Sequence, residues 1–182
     1  MKKILILGYR GFIGHNLFMY LSSKGYSITA ITKDIRDKEE IRPYFEGMEF
    51  VIHAAGEAKK IQDEEACHFT NVLGTKNVIE LCKEYHCKLI HFSSTAEKMA
   101  YGRSKQESQK MVEESGLRTI ILRLCPIVKL KDPLMKWGRR YPIEHLVEDV
   151  EWIIETHDFN NEVVDYKQFK NEKSSRIHFA RP

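Results

Sequence analysis

The sequence predicts an α/β protein in which helices cover both faces of a parallel sheet, a doubly wound fold. Short apolar runs alternate with segments of helical periodicity over residues 4–124, which is the rhythm of strand–helix–strand units. The first run, Ile4 to Leu7, is apolar at every position, as in strands that are buried on both faces. A glycine-rich segment from Gly8 to Gly14 follows it directly. Such folds bind ligands at the carboxyl ends of their strands, so we expect a site there.

The same periodicity indicates the individual elements and the extent of the domain. The predicted strands are residues 4–7, 27–32, 49–53, 89–92 and 119–124. Five helices are predicted. The first starts near residue 12 and ends at Gly25, the second covers 38–45, and the third ends near residue 86. The last two cover 104–115 and 144–156. We assign residues 1–157 to one domain, with a reduced substrate region within 126–157. Residues 158–182 form a polar C-terminal extension whose end is either irregular or a lone strand at 177–179.

The composition is that of an ordinary globular protein and argues against several function classes. The net charge is only +3, and basic residues are interleaved with acidic ones, so we expect no nucleic-acid partner. No apolar stretch is long enough to span a membrane, so we expect no membrane partner. The four cysteines form no Cys-x-x-Cys pair and fit no familiar zinc spacing, so no metal is predicted. Free cysteines without a good signal peptide favour a cytoplasmic protein.

The glycine-rich segment has the features of a dinucleotide-binding turn. Gly8 permits a tight turn after the strand, Gly11 lets the backbone approach a pyrophosphate, and Gly14 lets the next helix pack closely. That helix starts near Phe12 and Ile13, and it presents free amide groups and a positive dipole end to the phosphates. Because a strand precedes the glycines and a helix follows them, the pattern predicts a bound NAD-type dinucleotide.

Tyr101 and Lys105 form a candidate catalytic pair. They are four residues apart, so on a helix their side chains share one face. A phenol has a pKa of about 10, and a nearby ammonium group stabilises the phenolate and lowers that pKa. We therefore predict that Tyr101 is the general acid or base toward a substrate carbonyl or hydroxyl group, and that Lys105 tunes it.

Taken together, these motifs resemble the extended branch of the short-chain dehydrogenase/reductase family, the NAD-dependent epimerase/dehydratase type. Three further segments match in the family's order, namely His53–Gly56, Asn71–Thr75 and His145–Val150. The resemblance covers about the first 150 residues. It implies an NAD(P)-binding Rossmann fold, an oxidoreductase or epimerase activity, and a small-molecule substrate such as a nucleotide sugar. It also implies a homodimer that pairs through helices like those near 62–86 and 101–115.

The resemblance also implies roles for individual residues. Thr95 becomes the hydroxyl that polarises the substrate carbonyl, with Ser94 as the alternative. Lys105 also bonds the nicotinamide ribose, and Asn71 braces the catalytic strand. The remaining residues that the resemblance places against the cofactor at strand ends are His53, Ala54, Ala55, Gly56 and Ser93.

The residues after the second strand favour NADP(H) over NAD(H). A carboxylate at this point usually holds the adenosine ribose hydroxyls of NAD, but the matching residue in the family's spacing is Thr32. Lys33, Arg36 and, within the glycine turn, Arg10 are cations that can pair with a 2′-phosphate. In the alternative interpretation Asp34 reaches the ribose, and the cofactor is NAD(H).

Four features depart from the family pattern. Asp34–Ile35 resembles a pair that lines the family's adenine pocket, but it follows the second strand almost at once, which predicts a trimmed sheet. Only six residues lead from Thr95 to Tyr101, and Pro126 replaces an asparagine that contacts the substrate. The segment 126–145 is too short for the usual substrate domain. Two hypotheses follow: an NAD(P)-dependent oxidoreductase or epimerase, or a non-catalytic NAD(P)-binding sensor or partner subunit.

Overall fold

A six-stranded parallel sheet organises the protein and determines where a ligand can bind. This computed structural model describes residues 1–131 and 140–166. Its strands are β1 (Lys3–Leu7), β2 (Ser27–Ile31), β3 (Phe50–His53), β4 (Lys88–Ser94), β5 (Thr119–Leu124), β6 (Ile127–Val128), β7 (Tyr141–Pro142) and β8 (Glu162–Tyr166). The sheet order is β2-β1-β3-β4-β5-β8, and β6 pairs separately with β7. The order changes direction between β1 and β3, which is where such folds bind ligands.

Helices cover both faces of this sheet, which confirms the predicted doubly wound fold. They are α1 (Phe12–Ser23), α2 (Lys38–Ile41) with a 3₁₀ turn (Arg42–Tyr44), α3 (Glu64–Cys67), a π-helical segment (His68–Leu73), α4 (Gly74–Glu84), α5 (Ala100–Glu113) and α6 (Ile143–Thr156). α1 and α6 pack on one face, where Leu17 and Leu146 belong to the same apolar core. α2, α4 and α5 contribute to a second core on the other face, with Ile41, Val78 and Val112.

The central strand shows why the sequence is continuously apolar there. Ile4 and Ile6 point into the first core, whereas Leu5 and Leu7 point into the second. All four side chains are fully buried. Successive residues of a strand face opposite sides, so a strand covered on both faces needs an apolar residue at every position. Each such side chain contributes about 1.5–3 kcal/mol to stability through its burial.

The sixth strand, β8, was not predicted from the sequence. It pairs in parallel with β5, and Val164 lies opposite Leu122. Within the described residues β8 pairs only with β5, and its burial is mixed, with Glu162 and Val163 exposed and Val164 buried. The first part of the predicted C-terminal extension therefore completes the sheet. The alternative strand at 177–179 lies outside the described residues.

Several element boundaries differ from the prediction because tertiary packing decides them. α5 begins at Ala100 rather than at Ser104, although Gly102 is a poor helix former. A Cβ at Gly102 would lie 2.5 Å from the carbonyl oxygen of Ala96, so glycine is required where this loop crosses the helix. β4 continues to Ser94, two buried serines beyond the predicted apolar strand. The helix that was predicted up to residue 86 ends at Glu84.

The trimmed sheet that the position of Asp34–Ile35 predicts is confirmed. Within the described residues β2 is an edge strand, and the chain turns away from it directly into α2. Ile35 is 2% exposed and packs against Gly74, where a Cβ would lie 2.6 Å from its Cδ1 atom. The side chain of Asn77 donates to the carbonyl oxygen of Ile35 at 3.0 Å. Ile35 thus fixes the start of α4 against the chain that leaves β2.

Two kinds of feature do not occur in the part of the chain that the structure describes. None of its helices has both the length and the apolar composition needed to cross a membrane. It also contains no group of three histidine, cysteine, aspartate or glutamate side chains placed to hold a metal ion. All four cysteines are buried and free of disulfide bonds.

Candidate active site

A cleft of about 590 Å³ opens at the carboxyl ends of the central strands, next to the point between β1 and β3 where the strand order reverses. One end is formed by the glycine turn and the start of α1, and the other by the start of α5 and the chain after β5. The predicted site residues that line it are Gly11, Phe12, Ile13, His53, Ala54, Ala55, Gly56, Ser93, Ser94, Thr95, Tyr101 and Lys105. The structure therefore brings the glycine turn and the Tyr–Lys pair to one cleft.

The glycine turn depends on close backbone contacts at two positions. Gly8 has φ +84°, and a Cβ there would lie 2.5 Å from the backbone nitrogen of Ala55. A Cβ at Gly14 would collide with the carbonyl group of Gly8, so α1 could not lie as close to β1. Among the described residues no side chain caps the start of α1, and its first turn has no acidic residue. Its first amide groups can therefore bind a phosphate, and the turn fits a dinucleotide.

Tyr101 and Lys105 lie one turn apart on α5, and both line the cleft. The prediction that the tyrosine pKa is lowered is wrong for this structure. Burial raises the pKa of Tyr101, and a hydrogen bond with Ser94 only partly opposes that effect. Burial removes the hydration of the charged phenolate, and the polar groups around it do not fully compensate for that loss. Tyr101 is therefore held as a protonated phenol, the form that can donate a proton.

Lys105 is a buried amine, with only 5% of its surface exposed. Burial lowers its pKa to about 8, because the charged ammonium group loses its hydration. The hydroxyl group of Ser93 on β4 donates to the carbonyl oxygen of Lys105 at 3.4 Å and so fastens the helix to the strand. Within the helix, the hydroxyl group of Ser108 donates to the same oxygen at 3.0 Å. These bonds hold the backbone from which the amine reaches the cleft.

The lowered pKa predicts how stability depends on pH. In the folded protein Lys105 loses its proton near pH 8, whereas in the unfolded chain it keeps the proton up to about pH 10.5. Between these values the unfolded state binds more protons, so the wild-type free energy of unfolding rises with pH. Against a Lys105→Met variant, the wild type should gain roughly 3 kcal/mol across this interval, at about 1.4 kcal/mol per pKa unit.

The measurement is urea denaturation of both proteins at several pH values. All other titrating groups are common to the two proteins, so the difference between them isolates Lys105. A difference that stays constant from pH 7 to pH 11 would show that Lys105 titrates normally, and the buried amine would have to be reconsidered.

The structure favours Ser94 over Thr95 as the hydroxyl group beside Tyr101. The Ser94 side chain interacts with Tyr101 and lowers the pKa of its phenol, and the Ser94 oxygen accepts from the backbone nitrogen of Ala96 at 3.1 Å. The Thr95 hydroxyl instead donates to the carbonyl oxygen of Leu124 at 3.3 Å. Thr95 lines the cleft, but its hydroxyl proton is already used in the hydrogen bond to β5. Of the two candidates from the sequence, the alternative one is thus better placed to polarise a carbonyl group.

Asn71 braces a loop and a helix rather than the catalytic strand, which corrects the predicted role. Its amide oxygen accepts from the backbone nitrogen of Glu57 at 2.7 Å, and its amide nitrogen donates to Glu57 O at 3.2 Å. The same nitrogen donates to the hydroxyl of Ser104 at 2.9 Å. Asn71 is 1% exposed and is not part of the cleft lining, so it is not a direct cofactor contact. It ties the loop after β3 to the helix that carries Tyr101.

The residues that follow β2 are not part of this cleft lining, and they form ion pairs of their own. Lys33 pairs with Glu40 at 2.7 Å, and Arg36 pairs with Asp34 at 2.5 Å. Arg36 holds the pKa of Asp34 below its usual range. Thr32 is exposed beside them. These side chains lie at the carboxyl end of β2, where the adenosine end of a dinucleotide would reach.

The far wall of the cleft contains residues that the sequence analysis left without a role. Leu124, Cys125 and Ile127 line it together with Pro126, which replaces the family's asparagine. Burial raises the pKa of the Cys125 thiol, so it is an apolar wall residue rather than a thiolate. Their position in the sequence could have identified them, because they lie at or directly after the carboxyl end of a predicted parallel strand.

Comparison with known proteins identifies the family of this chain. The chain matches the model of the NAD dependent epimerase/dehydratase family over residues 4–128. Human sterol-4-alpha-carboxylate 3-dehydrogenase, decarboxylating, is 26% identical over 109 residues, which cover 52% of this chain and 29% of that protein. The dTDP-4-dehydrorhamnose reductase of Mycolicibacterium smegmatis is 30% identical over 99 residues, or 51% of this chain and 30% of the reductase. The chain thus matches less than a third of the length of these relatives.

Solved structures share the fold. An enzyme of Bordetella bronchiseptica, WbmG, in complex with NAD superposes with a TM-score of 0.78 at 16% identity, covering 91% of this chain and 72% of that one. The dTDP-glucose 4,6-dehydratase DesIV of Streptomyces venezuelae, with NAD bound, gives 0.77 at 15% identity, covering 95% and 79%. The family match spans well over half of the 182 residues and includes the glycine turn and the Tyr–Lys pair. The chain therefore belongs to the NAD-dependent epimerase/dehydratase family.

Proposed function

We propose that this chain is an NAD(P)-dependent oxidoreductase or epimerase that acts at a carbon bearing a hydroxyl or carbonyl group. The observation that carries the proposal is the shared cleft, because the glycine turn lines one end and Tyr101 and Lys105 line the other. A dinucleotide bound with its phosphates at the start of α1 would extend toward Tyr101. Placement and electrostatics are what such a protein contributes, whereas the cofactor carries the redox chemistry.

We propose one step for each residue of the site. When bound, the nicotinamide exchanges a hydride with the substrate carbon. In the direction of reduction, Tyr101 donates its phenolic proton to the carbonyl oxygen, so the product is an alcohol and the tyrosine is left as a phenolate. The Lys105 ammonium stabilises that phenolate, and the Ser94 hydroxyl holds the carbonyl oxygen before transfer. In the direction of oxidation the same phenolate takes the proton back.

We further propose a nucleotide-sugar-like substrate. The proposal is supported by the resemblance of the motifs to the family and by the similarity to the mycobacterial dTDP-4-dehydrorhamnose reductase. Two observations favour apolar ketones instead. They are the apolar wall of Leu124, Pro126 and Ile127 and the similarity to the human sterol dehydrogenase. The test is an assay that follows nicotinamide absorbance with keto-sugar nucleotides and apolar ketones. We expect turnover of a keto-sugar nucleotide. Turnover of apolar ketones alone would overturn the substrate proposal.

The same assay separates the enzyme from the second hypothesis. The observation that favours a non-catalytic NAD(P)-binding sensor or partner subunit is the shortness of the segment 126–145, because the family's usual substrate domain is longer. Tight binding of the cofactor with no turnover of any compound in the panel would support that function and contradict ours.

We propose NADP(H) as the preferred cofactor, and two alanine variants test this preference. Lys33 and Arg36 are exposed, and their ion pairs with Glu40 and Asp34 are surface pairs, which in general contribute little to stability. A 2′-phosphate can therefore recruit both cations, with Arg10 of the glycine turn nearby in the fold. Each charge-assisted bond is worth about 1.5–3 kcal/mol, so Lys33→Ala and Arg36→Ala should each weaken NADPH binding about 10- to 100-fold.

Binding is measured by titration calorimetry with NADPH and with NADH. NADH affinity should change little, because it has no 2′-phosphate. Lys110→Ala is the matched control, since Lys110 is an exposed lysine whose carboxylate partner Glu114 lies on the same helix surface. Tighter binding of NADH than of NADPH by the wild type would contradict the preference and support Asp34 as the ribose ligand.

A further inference from the structure

Two buried histidines lie next to each other, one of them in the lining of the cleft, and the mechanism above does not use them. His53 and His91 are register partners on β3 and β4, and their ring centroids are 5.2 Å apart. Their exposed fractions are 1% and 0%. His53 lines the cleft together with Lys105. Buried polar rings of this kind normally have hydrogen-bond partners at both nitrogen atoms.

The hydrogen bonds of His53 determine which of its nitrogens carries the proton. The hydroxyl of Thr75 donates its single proton to the carbonyl oxygen of Asn71 at 2.6 Å. The Thr75 oxygen must therefore accept from His53 Nε2, which lies 3.0 Å away. A neutral imidazole has one proton, so Nδ1 of His53 is a bare acceptor.

His91 is in the same state for the same reason. The hydroxyl of Ser108 donates to the carbonyl oxygen of Lys105 at 3.0 Å, so its oxygen accepts from His91 Nε2 at 3.4 Å. Burial, together with the charge of Lys105, lowers the pKa of both rings, that of His53 to about 3, so neither is protonated near neutral pH. Neither Nδ1 atom has a hydrogen-bond partner among the residues that the structure describes.

Two bare acceptors side by side need two hydrogen-bond donors. A water molecule has two hydrogens, and buried waters typically make about three hydrogen bonds to otherwise unsatisfied groups. The ammonium group of Lys105 is a donor with three protons, and its charge acts on both rings. Two acceptors and one cationic donor therefore match the bonding capacity of a single water.

We propose that one buried water donates to Nδ1 of His53 and to Nδ1 of His91 and accepts from the Lys105 ammonium. The two histidines are then positioning residues for the amine, and that second statement rests on the proposed function. Neither ring transfers a proton in this arrangement, because each keeps its hydrogen on Nε2.

A pair of substitutions at His91 tests which nitrogen matters. The side-chain amide of asparagine lies at the same distance from the backbone as Nδ1 of histidine. The side-chain amide of glutamine lies at the distance of Nε2. If Nδ1 is the acceptor that counts, His91→Gln should lower kcat/KM about 10- to 100-fold, and His91→Asn should recover most of that loss. A ring needed only for packing would give equal losses in both variants, or a smaller loss with glutamine, and would overturn the positioning role.

The water itself is tested without any turnover. With ¹⁵N-labelled histidine, both rings should carry the proton on Nε2 and show Nδ1 resonances shifted by hydrogen bonding. In a Lys105→Met variant the His91 Nδ1 resonance should move, because the water loses its donor. Two results would overturn the water site. One is a proton on Nδ1 of either ring, and the other is Nδ1 chemical shifts that show no hydrogen bonding and do not change in Lys105→Met. If no substrate is ever turned over, the proposed function fails, while this measurement still decides the water site.

Discussion

Replacing Tyr101 with phenylalanine is expected to lower turnover about 100- to 10,000-fold, the usual contribution of a general acid. Burial holds the phenol protonated, and in the proposed mechanism its proton passes to the carbonyl oxygen of the substrate. Phenylalanine fills the same space and keeps the cleft wall, so cofactor affinity should change little. The measurement is single-turnover oxidation of the bound nicotinamide with the best substrate of the panel.

Tyr20→Phe is the matched control for that variant. Tyr20 lies on α1, and its hydroxyl donates to Glu151 of α6 at 2.6 Å, away from the cleft lining. Removing that hydroxyl should leave turnover unchanged within a factor of two or so. Equal turnover by Tyr101→Phe and the wild type would remove Tyr101 from the mechanism.

Replacing Gly8 with alanine is expected to destabilise the fold and to abolish dinucleotide binding. The left-handed backbone at Gly8 costs an alanine about 1–2 kcal/mol. The new Cβ would also press on the backbone of Ala54 and Ala55, and such overpacking costs about 1–3 kcal/mol more. Because that backbone lines the cleft, the shift that relieves the clash also displaces the cofactor site. Urea denaturation and calorimetry with NADPH measure the two effects.

Gly116→Ala separates these two causes. Gly116 also has a left-handed backbone, with φ +72°, but within the described residues nothing lies within 4 Å of a Cβ built there. It should lose only the conformational part, about 1–2 kcal/mol, and should keep NADPH binding. If Gly8→Ala is no less stable than Gly116→Ala and still binds NADPH, the close packing of the turn against β3 does not support the site.

The parts of the site that were predictable are those with local spacing rules. The glycine turn must join a strand to a helix, and a Tyr–Lys spacing of four residues must share a helix face, so Gly8, Gly14, Tyr101 and Lys105 could be assigned from the sequence. Tyr101 and Lys105 line the cleft, and Gly8 and Gly14 allow the close packing of the turn at its other end. The position of Asp34–Ile35 likewise predicted the trimmed sheet, because the family pair that it resembles usually comes after an additional helix and strand.

What could not be predicted depends on contacts between distant segments. The choice of Ser94 over Thr95 depends on the Leu124 carbonyl, which β5 brings to the end of β4. The direction of the Tyr101 pKa depends on burial, which no spacing reveals. The role of Asn71 depends on Glu57 and Ser104, two residues from other elements. Strand β8 was missed because Val164 and Tyr166 are buried while Glu162 and Val163 are exposed, so it lacks the continuous apolar run of the central strands.

A crystal structure of the chain with NADPH is the most direct test of the central claim. Our account predicts the pyrophosphate at the first amide groups of α1 and the nicotinamide ring beside the Tyr101 hydroxyl. It would be contradicted by a dinucleotide whose nicotinamide end points away from Tyr101, or by a cleft that stays too narrow to admit the ring.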